Sequence, residues 1–175
     1  ASIFIALHWT GEIDELKVHI RDFVTNQFEY NMNRTLNEIR PRYEFDVSCQ
    51  GSVPEAIIAF LEADSYEDAI RNAVSLGGDA DTQGAIAGAI AACVYPIPEY
   101  IIKECQKRLS DDLLKVVIRF EDYLDNEWQN KISLPCSCLQ PKRETVEPEK
   151  YVDIIRDNID LIHKSIKIAV VMVAF

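Results

Sequence analysis

From Glu12 onward, apolar and charged positions recur with a period near that of an α-helix. Leu16, Ile20, Phe23 and Val24 fall on one face, and Asp14, Glu15, Lys17, Arg21 and Asp22 lie between them. Before this, residues from Ala1 to about Trp9 read as a short apolar helix end, broken by Thr10-Gly11. Thr35 and Glu38 have capping-box spacing, and Arg40-Pro41 stops the short helix they start. Tyr43 to Val47 alternates as a strand does, but without a partner run nearby it predicts an extended connector. Ser52, Pro54 and Glu55 predict the next helix start, with Ala56, Ile57, Phe60 and Leu61 as its inner face. Ser65 starts another, with Tyr66, Ala69, Ile70, Ala73 and Val74 inward. A helix rich in small residues then runs to about Val94, where Pro96 and Pro98 end it. Two more follow: about Glu99 to Leu109, and one capped by Ser110 with Leu113, Leu114, Val117, Phe120 and Leu124 at helical spacing. No repeated period-two pattern occurs. The prediction is an all-α domain of roughly seven helices joined by short loops.

The pattern changes after Trp128. Pro135, Pro141 and Pro148 surround Cys136-Ser137-Cys138, so residues 129–150 read as a linker or irregular loop. Tyr151 to Lys167 again has helical apolar spacing, and Ile168 to Phe175 is wholly apolar. The expected organisation is a helical domain over 1–128, the linker, and a terminal helix with an apolar tail over 151–175. Left exposed, that tail is an aggregation hazard, so burial or a homodimer contact is expected.

Composition narrows the function classes. The chain has 175 residues, 48% hydrophobic and 27% charged, enough for one sizeable core. Its formal net charge is −11, which argues against a nucleic-acid partner, since neutralising phosphates needs a basic face. The five cysteines are scattered and suggest no disulfide framework; Cys136 and Cys138 lack a second pair at zinc spacing. No membrane span and no secretory signal is visible, so a cytoplasmic protein is expected.

The chemistry concentrates in Leu76-Gly77-Gly78-Asp79-Ala80-Asp81-Thr82. The glycines permit sharp backbone angles just before two carboxylates and a hydroxyl. Such hard oxygens suit Mg²⁺, Mn²⁺ or Ca²⁺; equally, Asp81 or Thr82 alone can serve as an ordinary helix cap. Gly84 and Gly88 follow four apart, which lets another backbone approach closely. Upstream, the amides near Gly51 and Ser52 at a helix start offer a place for phosphate or a ribose hydroxyl, or simply a capped helix end.

Gly-Gly-Asp-x-Asp-Thr leading into a small-residue helix resembles the C-terminal metal motif of the ADP-ribosylglycohydrolase family, which includes the dinitrogenase reductase-activating glycohydrolase. The string from Arg40 to Ile57 resembles a bacterial branch of it, and the likeness spans about Ala1 to Leu124. It implies a compact orthogonal helical bundle that hydrolyses the glycosidic bond between ADP-ribose and an arginine, serine or other acceptor. It also implies a two-metal site using Mg²⁺ or Mn²⁺, with Asp79, Asp81 and Thr82 as metal ligands. Gly51, Ser52 and Gly78 are then the substrate-binding residues, and ADP-ribose or an ADP-ribosylated protein the partner.

One departure matters. The family's remaining metal ligands lie in an N-terminal Thr-Asp-Asp-Thr string after a Gly-Asp motif, and neither occurs here. Asp111-Asp112 is better explained by capping and the helix dipole. The chain therefore resembles an N-terminally incomplete family domain, expected to need its missing half. The alternatives are a non-catalytic member that binds ADP-ribose or one metal, and a helical interaction protein whose Asp79 turn is structural.

Overall fold

The structure, a computed structural model, describes residues 1–123. The readings placed on the 129–150 linker, the 151–175 helix and its apolar tail, Leu124, and the Cys136–Cys138 pair lie outside the described residues. Within them the chain forms eight helices and no strand: α1 (Ser2–Leu7), α2 (Ile13–Phe28), α3 (Leu36–Ile39), α4 (Cys49–Leu61), α5 (Tyr66–Val74), α6 (Ala80–Ala91), α7 (Glu99–Arg108) and α8 (Asp111–Tyr123). No described helix is long and apolar enough to cross a membrane.

The core is built around α4. From Ala56 to Leu61 every side chain of this helix is buried, because α5 and α6 pack on it and α3 leans against it. Phe60 and Ile58 are among the largest fully buried side chains. Burying residues of this size contributes about 1.5–3 kcal/mol each. Leu16, Ile20 and Val24 of α2 complete the same cluster, as the apolar spacing predicts, with Phe23 at its edge. Gly84 and Gly88 are buried on α6, consistent with close helix approach. By contrast, α7 buries none of its residues and α8 only Val117. Leu113 of the predicted α8 face is 48% exposed, so that stripe is largely uncovered by the described residues.

Three local readings need correction. The cap of α4 is Ser48, whose hydroxyl accepts from the Gly51 amide. Ser52 lies one turn inside, and Glu55 is drawn away from any capping role by Arg34, which forks onto both its oxygens at 2.7 Å. Pro54 therefore sits inside the helix rather than in its first turn. On α5, Val74 is half exposed because it is the last helical residue, beyond the inward face of Tyr66, Ala69 and Ala73. Finally, α6 ends at Ala91, a few residues before Val94, because turns over 92–94 already redirect the chain toward Pro96. The caps at Thr35, Ser65 and Ser110 are where the spacing puts them.

Candidate functional site

The turn between α5 and α6 is anchored by Leu76, which is buried at the end of the preceding helix. Gly77 and Gly78 then adopt φ of 79° and 67°, a region that side chains with a Cβ populate at a cost. This double left-handed step brings Asp79 to the N-cap of α6 and Asp81 into its first turn. The Asp79 carboxylate makes no capping bond, so its oxygens are not spent on the helix. Asp81 accepts from the Thr82 amide at 2.8 Å. A hydrogen bond with the Asp79 carboxyl, and the one from Thr82, hold Asp81 below the ordinary carboxylate range. Asp81 and Thr82 are exposed and Asp79 is half-buried.

Two carboxyls that touch one another repel when both are charged, unless a cation lies between them. Among the described residues neither pairs with a lysine or arginine. Two carboxylates and a hydroxyl on one turn fit a hard dication in chemistry. They do not complete its shell: no group of three or more His, Cys, Asp or Glu gathers among the described residues.

Tyr43, in the extended connector between α3 and α4, joins this turn to the amino end of α4. Its hydroxyl donates to the Gly51 carbonyl at 3.0 Å and accepts from Gln83 Nε2 at 2.5 Å. Its ring fills the space where a Gly78 side chain would begin: a Cβ there would lie 2.8 Å from Tyr43 Cε1. Burial pushes the phenol's pKa up, and the charges of Glu55, Asp46 and Asp79 push it the same way. The three carboxylates whose charge bears on the hydroxyl come from three different segments. Asp46 is itself fixed at the mouth of α4. It accepts from the Ser48 amide at 2.7 Å, and bonding to Ser48 keeps its carboxyl below the usual range. A Cβ on Gly51 would come within 2.0 Å of Asp46 Oδ2, so only glycine allows this approach.

Two of the predicted segments are therefore neighbours. Gly51 at the head of α4 and Gly78 of the Asp79 turn meet across Tyr43, with Ser52 next to Gly51 in the chain. The Gly51 amide and the Ser52 hydroxyl are already satisfied inside the α4 cap, the hydroxyl donating to the Ser48 carbonyl at 2.7 Å. Gly51 is part-exposed and presents backbone surface rather than a free donor, whereas Ser52 is buried beneath it. Tyr43, Asp46 and Gln83 were not marked by any local motif. Tyr43 lies 8 residues from Gly51 and 40 from Gln83, and no periodicity spans such separations.

A sequence model of the ADP-ribosylglycohydrolase family matches residues 5–131. No curated protein and no solved structure matches the chain.

Proposed function

The chain belongs to the ADP-ribosylglycohydrolase family, and from this premise we propose that it contributes half of a dinuclear Mg²⁺ or Mn²⁺ site for hydrolysing the bond between ADP-ribose and a modified protein or small acceptor. The observation that carries the reading is the Gly77–Thr82 turn, which sets two interacting carboxyls without a lysine or arginine partner at the head of α6 inside the matched span. Asp79, Asp81 and Thr82 would hold the metal; when bound, such a pair supplies Lewis acidity that orients ribose hydroxyls and activates water. The chain's own part is positional. Gly51 and Gly78 form the wall against which the ADP-ribosyl group rests, their bare backbone allowing close approach, and the buried Ser52 supports that wall from behind. The acidic surroundings repel a pyrophosphate at long range, so binding depends on the cation.

The turn supplies only part of an octahedral shell, and water alone would leave the ion weakly held, so a tight site calls for further oxygen ligands. We assign them to a polypeptide segment carrying the family's Thr-Asp-Asp-Thr string. The test is reconstitution. The chain alone is expected to bind Mg²⁺ weakly and to release no ADP-ribose from a modified protein. Adding the complementary segment should restore both, and Asp79→Ala with Asp81→Ala should abolish them. Turnover by the lone chain would refute the shared site. The same shortage of ligands also favours a second reading, a non-catalytic member that binds ADP-ribose. Tight ADP-ribose binding without turnover after reconstitution would select it, and failure to bind either metal or ADP-ribose would leave the turn structural.

A further inference from the structure

Gln83 is fully buried, yet only half of its amide is used. Nε2 donates to Tyr43, while Oε1 has no partner. The orientation is forced. The Tyr43 hydroxyl has one proton, which the Gly51 carbonyl must receive because a carbonyl only accepts. The phenol oxygen can then only accept, so the Gln83 nitrogen must face it. A buried acceptor left without a donor is costly, and an apolar side chain of similar size would avoid that cost. Stability therefore does not account for an amide here. Its one bond runs to the residue that touches both ends of the site.

We propose that Tyr43 and Gln83 are a positioning pair that sets the spacing between the amino end of α4 and the Asp79 turn. Gln83 stands one turn into α6, and its backbone N–H donates to the Asp79 backbone carbonyl at 3.0 Å, so it moves with the turn. Tyr43 relays that position to Gly51, while its ring bears on Gly78. The pair acts through the elements it aligns. The inference rests on the proposed function only for what the two elements bind, not for their coupling.

Hydrogen exchange on the full chain tests it, with Gln83→Met and Tyr43→Phe. In Gln83→Met, amides of 48–53 and of 77–83 should both exchange about five- to tenfold faster, the loss of roughly one hydrogen bond, while α2 amides and the melting temperature stay unchanged or the latter rises. Tyr43→Phe should loosen the same two segments, and the double variant should be no looser than the worse single one. Faster exchange at only one segment, a uniform change with a lower melting temperature, or additive effects would overturn the pair. In the reconstituted protein, Tyr43→Phe should also weaken ADP-ribose binding by calorimetry. If the unsubstituted protein binds no ADP-ribose, the functional reading fails, and the exchange result still decides the coupling.

Discussion

At the scale of single residues, the two glycines of the turn separate two costs that are often merged. Gly77 and Gly78 share a left-handed backbone, but a Cβ on Gly77 meets open space and one on Gly78 meets the Tyr43 ring. Gly77→Ala should therefore cost about 1 kcal/mol, the left-handed penalty partly offset by a stiffer unfolded chain. Gly78→Ala should cost about 2–3 kcal/mol, because the ring must also shift. Urea unfolding of the two variants checks the order; equal costs would mean that Tyr43 yields freely. The glycine pair was legible in the sequence, since backbone freedom just before two carboxylates has a local signature. Tyr43 was not. Its chemistry arises from partners on α4 and α6, and in a five-residue connector it looks like part of a lone alternating run.

At the scale of elements, local signals succeed where the cap's competitors are weak. Thr35 accepts from the Glu38 amide while the Glu38 carboxylate accepts from the Thr35 amide and hydroxyl, as the spacing predicts. The Thr35 amide, then its hydroxyl, hold Glu38 below the ordinary carboxylate range. A depressed pKa in the folded state stabilises above the unfolded value and ceases to do so as pH falls through the folded one. Glu38→Gln should therefore lower the melting temperature at pH 7, and the gap should close in acid. A gap that persists in acid would place the effect in packing rather than charge. At α4 the same rule misled, because Ser48 and Ser52 both resemble caps and a distant arginine decided between them. Arg34 draws Glu55, 7% exposed at its side chain, into a bidentate pair. The helix start then falls to Ser48, preset by the Asp46 turn. Arg34→Met should cost about 1–3 kcal/mol in a denaturant melt, since it leaves a buried carboxylate unpaired while Arg34 itself is part-exposed. The small-residue α6 was readable because glycines four apart have few other uses. Gly88→Leu should overpack its buried position and destabilise by about 1–3 kcal/mol or more; a neutral melt would show that the neighbouring helices can open.

For the whole molecule, charge sets the terms on which a metal can act. The chain carries a net charge of −11, so any dication relieves some self-repulsion whether or not it occupies a site. A specific site adds to this by mass action. If the Asp79 turn holds Mg²⁺ with a dissociation constant of about 1 mM, then about 10 mM Mg²⁺ stabilises the fold by roughly 1.4 kcal/mol. For a domain of this size that is a rise of about 3–8 °C in melting temperature. The two contributions separate by substitution. Asp79→Asn with Asp81→Asn removes two of the chain's 29 acidic residues and should retain most of the non-specific response. It should lose nearly all of the site-specific rise. Sodium chloride at matched ionic strength gives the screening baseline. A magnesium-dependent rise that survives the double substitution would assign it to the acidic surface as a whole, and the turn would then hold no metal in the isolated chain. A rise confined to the unsubstituted chain would show that the partial oxygen set binds before any complementary segment arrives, so that the metal itself can recruit the rest of its shell.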